Sequence, residues 1–131
     1  MPAGGVMFRK GISRTFCFYW MPFFCYVALI FYLSHQSDPA GDLDLPISDK
    51  ILHFFEYFLL IFFTLRAFRR SASERVRKNF ILYSILFSLL YALSDELHQW
   101  YIPDRECSLL DFIADGVGIG VGTVIFRNRT I

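Results

Sequence analysis

The sequence predicts an all-α polytopic membrane protein, a bundle of four transmembrane helices with both termini in the cytoplasm. Three observations predict this class. First, 55% of the 131 residues are hydrophobic and 19% are aromatic, which is more apolar surface than a soluble domain of this size buries. Second, three apolar runs are long enough to cross a bilayer, and a fourth becomes long enough when it is extended at both ends. Third, the basic residues are concentrated in segments that lie on one side of these runs.

The four predicted spans are about 15–34, 47–68, 79–101 and 108–126, within a single domain of residues 1–131. The first contains no charged residue and is long enough to cross a hydrocarbon core of ~30 Å. We expect Pro22 to kink it. The apolar part of the second, 51–65, is short and contains His53 and Glu56. Extending it to 47 and 68 gives a plausible span with a snorkelling Arg66 near its end.

Charge is divided unequally between the two predicted sides of the membrane. Eleven of the 13 Lys and Arg lie before the first span, in loop 66–78 or after the last span, and of the 12 acids only Glu74 lies there. The positive-inside rule therefore places both termini and this loop in the cytoplasm, and loops 35–50 and 102–107 outside. Loop 66–78 is basic, but a cytoplasmic turn explains it more simply than nucleic acid does, so no nucleic acid is expected as a partner.

Segment 94–115 concentrates ionisable residues between two apolar spans. Such groups at the end of a span are costly, and they usually serve a function. Helical spacing places Asp111, Asp115, Gly118 and Gly122 on one face of the fourth span. We expect this face to meet two similar stripes across close helix contacts, which would form one outward-opening polar pocket. The two stripes comprise Lys50, His53, Tyr57, Leu60 and Thr64, with Glu56 at the edge, and Ser84, Ser88, Tyr91 or Ala92, Asp95, His98 and Gln99.

The glycine-rich run 116–122, GVGIGVG, contains two overlapping G-x-x-x-G patterns. Glycine at this spacing lets two membrane helices approach closely. Packing inside the bundle is the preferred interpretation, and a homodimer is the alternative. No strand precedes the run, so it is not predicted to be a nucleotide-binding loop.

Three segments carry a resemblance to a known family: YLSHQSDP, SDKILHFFEYFLL and YALSDELHQWYIPDRECSLLDFIADGVGIGVG. In the last of them, D-E-x-x-Q, P-x-R and D-x-x-x-[ND]-x-x-G follow one another in order. With these motifs the chain resembles the VanZ-like family of small bacterial membrane proteins, named for an accessory protein of glycopeptide resistance. It differs at Asp115, where many members have Asn.

The resemblance implies an integral membrane protein of the bacterial cell envelope. With the charge distribution, it predicts a multi-pass protein of the cytoplasmic membrane whose polar cluster lies on the extracytoplasmic side. It also implies that members like the namesake lower susceptibility to teicoplanin-type glycopeptides. The resemblance does not supply a reaction.

Two kinds of function compete for the predicted pocket. A binder or modulator would hold a membrane lipid or a peptidoglycan precursor, with cationic side chains on a phosphate or carboxylate. The residues predicted to bind it are Lys50, Arg105, Gln99, Tyr57, Glu96 and Asp115. An enzyme would act on a lipid-linked or phosphate-bearing substrate by acid–base chemistry, with Asp95, His98, His53 and Asp111 as the candidate catalytic residues. The binder is preferred because no nucleophile stands out, and whether the chain is an enzyme stays open.

A metal-assisted variant of the enzyme is the minor alternative. Its ligands, which suit zinc or a similar divalent ion, would come from His53, Asp95, His98, Asp111 and Asp115. Their spacing matches no strong metal motif, so no cofactor is predicted. The three cysteines are irregularly spaced, and they predict neither a disulfide framework nor a zinc site.

A purely structural interpretation assigns the charges to each other. Arg105 and Lys50 would neutralise nearby acids and tie the helix ends together. Glu96 and Glu106 are expected to point to solvent and to need no partner. The excess of acids over bases in the cluster favours a function over this interpretation.

Overall fold

The computed structural model describes residues 14–37 and 46–129, and it confirms a bundle of four helices long and apolar enough to span a membrane. We label them α1 (Phe16–Ser34), α2 (Pro46–Arg69), α4 (Phe80–Gln99) and α5 (Leu109–Phe126), with a short helix α3 (Glu74–Lys78) between α2 and α4. Each membrane helix begins and ends within two residues of the corresponding predicted span. The placement of both termini in the cytoplasm stays a prediction.

Helix α1 changes geometry next to Pro22. Residues Phe16–Trp20 form a π-helical stretch, and regular α-helix begins at Met21. Proline has no N–H to donate to the carbonyl four residues earlier, here that of Phe18, and a local π-type adjustment accommodates such a break in a membrane helix. The sequence predicts a kink at this position, and the structure shows a change of helical geometry there.

Helix α2 is the central helix of the bundle. Of its apolar stretch, 39% is buried inside the protein, against 11% for α1. Its inward face supplies most of the described apolar core, namely Tyr57, Leu60, Ile61 and Leu65. The hydroxyl of Tyr26 on α1 donates a hydrogen bond to the carbonyl of Glu56 at 3.0 Å, which ties the outer helix to the central one.

Two glycines allow α5 to lie directly against α2. A Cβ at Gly118 would collide with the carbonyl oxygen of Phe54, and one at Gly122 would collide with the Ile61 side chain. The Gly118–Gly122 pattern therefore packs inside the bundle, as the preferred interpretation predicts. The overlapping pair, Gly116 and Gly120, does not lie against another helix, because a Cβ at either position would meet no atom within 4 Å.

Arginines and aromatic rings meet at the end of α2 that is remote from the acidic cluster. The guanidinium of Arg66 lies 5.3 Å from the ring centroid of Tyr19, and that of Arg70 lies 5.1 Å from the same ring. Cation–π contacts of this kind suit a membrane interface, where the ring is partly apolar and the cation stays wet. From Lys50 to Arg66 the helix rises ~24 Å, so the basic and acidic groups occupy opposite ends of the bundle.

Candidate functional site

The three predicted polar stripes converge at the end of the bundle where α4 ends and α5 begins. Their polar side chains are buried rather than solvated, which in a small membrane protein demands partners or a ligand. At this end the buried polar residues are Ser34, His53, Asp95, Glu96, Gln99, Asp111 and Asp115. We call this set, with Lys50, the polar cluster.

A histidine and two carboxylates form the innermost part of the polar cluster. His53 Nδ1 lies 2.9 Å from Asp115 Oδ1, a hydrogen-bond distance, and 3.9 Å from Glu96 Oε1. All three side chains are at most 3% exposed. Among the described residues, Asp115 Oδ2 and Glu96 Oε1 have no hydrogen-bond partner. This part of the cluster therefore holds more acceptor oxygens than donors.

The amino-terminal end of α5 is fixed by polar contacts to both neighbouring helices. Lys50 Nζ lies 2.8 Å from Asp111 Oδ1, and the lysine side chain is 39% exposed while that of Asp111 is 5% exposed. The backbone N–H of Ser108 donates to Glu96 Oε2 at 2.8 Å. The Ser108 hydroxyl in turn accepts from the Asp111 N–H at 3.4 Å, as expected of an N-cap residue.

Asp95 lies on the α1 side of the polar cluster. Gln99, one turn later on α4, donates its amide N–H to Asp95 Oδ2 at 3.4 Å. The buried hydroxyls of Ser34 and Tyr57 also face this carboxylate, although neither makes a hydrogen bond of regular geometry. Gln99 Oε1 finds no hydrogen-bond partner within the part of the chain that the structure describes.

A cleft opens beside the polar cluster, between the end of α1 and the start of α2. Its enclosed part has room for about one water molecule, and its walls combine apolar, acidic and basic side chains. The lining residues are Leu33, Ser34, Asp49, Leu52, His53, Glu56, Gln99 and Arg105. A headgroup with an apolar tail attached would find both polar and apolar contacts at such a place.

The loop between α4 and α5 aims Arg105 at this cleft. The Arg105 N–H donates to the Ile102 carbonyl at 3.2 Å, and Asp104 has φ 64°. Pro103 before a residue of positive φ is the signature of a type II turn, in which Asp tolerates the left-handed position better than most residues. The guanidinium donates to the Gln36 carbonyl at 3.3 Å and lies 4.0 Å from Asp49, and the side chain is only 8% exposed.

Most of the residues predicted for the site do come together, and their roles stay predictions. His53, Asp95, Asp111, Asp115, Tyr57 and Gln99 are all buried at this end, Lys50 closes it, and Arg105 lines the adjoining cleft. His98 does not join them. Its Nε2 lies 3.3 Å from His35 Nδ1, and its ring packs against Phe31 at 4.9 Å between centroids.

One interpretation from the sequence is wrong. Glu96 does not point to solvent: it is 2% exposed, because Ser108 folds back over it and holds one carboxylate oxygen. Glu106 is exposed, as expected.

The sequence prediction also missed the wall that α1 supplies through Leu33 and Ser34, as well as Asp49. The segment YLSHQSDP, which carries part of the family resemblance, was the signal that pointed to this wall.

Within the described part of the chain, two overlapping groups have the donor atoms that a metal ion requires. Asp49, His53 and Asp111 form one, and His53, Glu96 and Asp115 form the other, with the donor atoms of each group within 4.8 Å of one another. Of the ligands predicted from the sequence, Asp95 and His98 belong to neither group. A metal ion at this site would therefore have a partly different ligand set from the predicted one.

Four membrane helices around a buried His–carboxylate cluster define a polytopic membrane protein with a polar site at one end of the bundle. The chain belongs to the VanZ/LLP1 family, whose model matches residues 8–130. No curated protein and no solved structure matches the chain.

Proposed function

We propose that the chain binds a phosphate- or carboxylate-bearing envelope lipid or peptidoglycan precursor at the outer face of the bacterial cytoplasmic membrane. By holding this molecule it lowers susceptibility to teicoplanin-type glycopeptides. The observation that carries the proposal is the nearly buried Arg105 on the wall of a cleft bordered by Leu33 and Leu52. A lipid-linked anion presents its charge beside apolar surface in the same way.

Arg105, rather than Lys50, is the cation with capacity for a ligand. Lys50 already contacts Asp111 at 2.8 Å. Among residues 14–37 and 46–129, the guanidinium of Arg105 gives one of its five N–H donors to the Gln36 carbonyl, while the contact to Asp49 at 4.0 Å is too long for a hydrogen bond. A planar fork with donors to spare is suited to two oxygens of one phosphate or carboxylate.

The orientation is supported by the basic residues at the opposite end of the bundle, which the positive-inside rule assigns to the cytoplasm. A natural reporter tests it, since Cys107 is exposed in the loop before α5, whereas Cys17 and Cys25 lie within α1. We expect a membrane-impermeant maleimide to label the protein in cells with an intact cytoplasmic membrane, and Cys107→Ser to abolish the labelling. Labelling that requires permeabilised cells would reverse the orientation.

A membrane-embedded enzyme acting on the same class of molecule is the second candidate. The buried His53–Asp115 pair, with His53 on the wall of the cleft, favours it, because a histidine oriented by a carboxylate is a common general base. Lipid and muropeptide profiles with and without expression separate the two. A new or missing species indicates catalysis, and an unchanged profile with altered drug binding indicates a binder.

Arg105→Lys tests the binding role in cells. It keeps the charge but removes the planar fork, so we expect normal protein abundance and teicoplanin susceptibility close to that of cells lacking the protein. Arg127→Lys is the matched control, because Arg127 is exposed beyond the other end of α5 and is expected to behave like the wild type. Equal teicoplanin susceptibility of the two variants at equal protein abundance would show that Arg105 has no role in the proposed function.

A further inference from the structure

We propose that His53, Glu96 and Asp115 bind a divalent transition-metal ion, with zinc as the ion of choice. The three residues come from α2, α4 and α5, so the ion would join the three helices that enclose the polar cluster. Their separation of 19 to 43 positions along the sequence resembles no metal motif, and this explains why spacing alone does not predict the site.

Unpartnered buried oxygens are the first observation that points to an ion. Glu96 Oε1 and Asp115 Oδ2 lie in side chains that are 2% and 0% exposed, and neither has a hydrogen-bond partner among residues 14–37 and 46–129. A buried carboxylate oxygen without a donor is costly, and a cation is one of the few groups that compensates it.

Donor geometry is the second observation. Two ligands of a tetrahedral zinc ion, each at about 2.0–2.1 Å from the metal, are about 3.3 Å apart. The His53 Nδ1 atom lies 2.9 Å from Asp115 Oδ1 and 3.9 Å from Glu96 Oε1, which brackets that separation. The donor oxygens of Glu96 and Asp115 lie within 4.8 Å of each other, so rotations of these side chains would bring all three donors onto one ion. The ion would take the place of the proton between Nδ1 and Asp115.

The donor types decide the class of ion. One imidazole nitrogen with two carboxylates suits zinc and similar transition metals, whereas magnesium and calcium prefer oxygen donors alone. The alternative group, Asp49 with His53 and Asp111, competes for the same imidazole. It is the weaker candidate because Asp111 already contacts Lys50 at 2.8 Å.

The cleft supplies an open side to this site. His53 and Gln99 line it, and Gln99 Oε1 is another buried oxygen without a described partner. A water molecule or a headgroup oxygen entering from the cleft completes the coordination of an ion held by three protein ligands.

The ion also resolves a charge problem in the proposed function. Among the described residues around the cleft and the polar cluster, six carboxyl side chains outnumber the two permanently basic ones, Lys50 and Arg105; the six are Asp49, Glu56, Asp95, Glu96, Asp111 and Asp115. A bound divalent cation would offset part of this negative charge and, together with Arg105, would favour an anionic headgroup at the cleft. The zinc proposal rests on the proposed function in this respect. Zinc binding is measured without any headgroup, so either proposal can fail while the other stands.

The test uses the full-length protein in detergent, stripped with a chelator, supplied with zinc and passed through gel filtration. We expect one zinc per chain by elemental analysis and a higher Tm than that of the stripped protein. Glu96→Gln and His53→Leu are each expected to weaken zinc binding at least about tenfold, because even the loss of an indirect contact costs 10- to 100-fold at metal sites.

Two matched controls identify the site. Glu106→Gln makes the same change at an exposed carboxylate in the nearby loop, and His98→Leu disrupts the His35–His98 pair outside the cluster. Both are expected to bind zinc like the wild type. Zinc lost in His98→Leu but kept in Glu96→Gln would overturn the proposal, as would the absence of stoichiometric zinc in the wild type.

Cobalt(II) keeps the proposal testable if the cluster variants do not fold. Wild-type protein loaded with cobalt is expected to show the intense visible absorption of four- or five-coordinate ions, in keeping with three protein ligands and an open position. The weak spectrum of a six-coordinate ion with water as its main ligand would contradict the assignment.

Discussion

Gly118→Val is expected to prevent normal assembly of the bundle, because the position has no room for a side chain. A Cβ there would collide with the carbonyl oxygen of Phe54 and would lie 3.1 Å from the backbone nitrogen of Phe58. Backbone atoms of a helix cannot rotate away as a side chain can, so α5 must move off α2. Overpacking costs about 1–3 kcal/mol even where side chains can adjust, and we expect the upper end of that range or a loss of folded protein.

The same substitution at Gly116 provides the control. It lies on the same helix, two positions earlier, and a Cβ there meets no atom within 4 Å. Both variants replace glycine by a β-branched residue, so the difference in Tm in detergent isolates the contact with α2. Gly122→Val should fall between them, because its nearest neighbour is the Ile61 side chain. Equal Tm values for the variants at 116 and 118 would mean that α5 does not pack on α2 as described.

The sequence predicts the four helices and their inward faces because both depend on local patterns. Apolar length defines each span, and a period of 3.6 residues defines which side chains share a face. His53, Asp115 and Gln99 lie on those faces, and the structure buries all three. Gly118 and Gly122 were predicted to allow a close approach for the same reason, since small residues at this spacing form a groove.

Residues whose positions depend on tertiary contacts were harder to predict. Glu96 lies about 100° around the helix from Asp95, which places it off the predicted stripe. It is buried because the loop after α4 returns and Ser108 donates to it. His98 fits the helical period, yet it turns to His35 at the end of α1. Helix α1 carries no charge within the span, so its helical pattern did not indicate that Ser34 lines the cleft, and the family segment YLSHQSDP was the signal for it.

Arg105→Gln is expected to have the largest effect on ligand binding. The substitution keeps one amide donor but removes the charge and the second N–H of the fork, while the turn that positions residue 105 is unchanged. Hydrogen bonds to charged groups contribute about 1.5–3 kcal/mol each, so retention of a phosphate-bearing lipid should fall roughly 10- to 150-fold. Arg127→Gln removes an exposed guanidinium beyond the opposite end of α5 and should leave retention unchanged.

Native mass spectrometry of the detergent-solubilised protein with equal amounts of phosphatidic acid and phosphatidylcholine tests the central claim most directly. The two lipids share their tails, and phosphatidic acid presents the unsubstituted phosphate that Arg105 is proposed to bind. We expect the wild type and Arg127→Gln to retain one phosphatidic acid per chain in preference to phosphatidylcholine, and Arg105→Gln to lose this preference. A wild type without preference, or an Arg105→Gln variant that keeps it, would contradict the claim that this cleft binds an anionic headgroup.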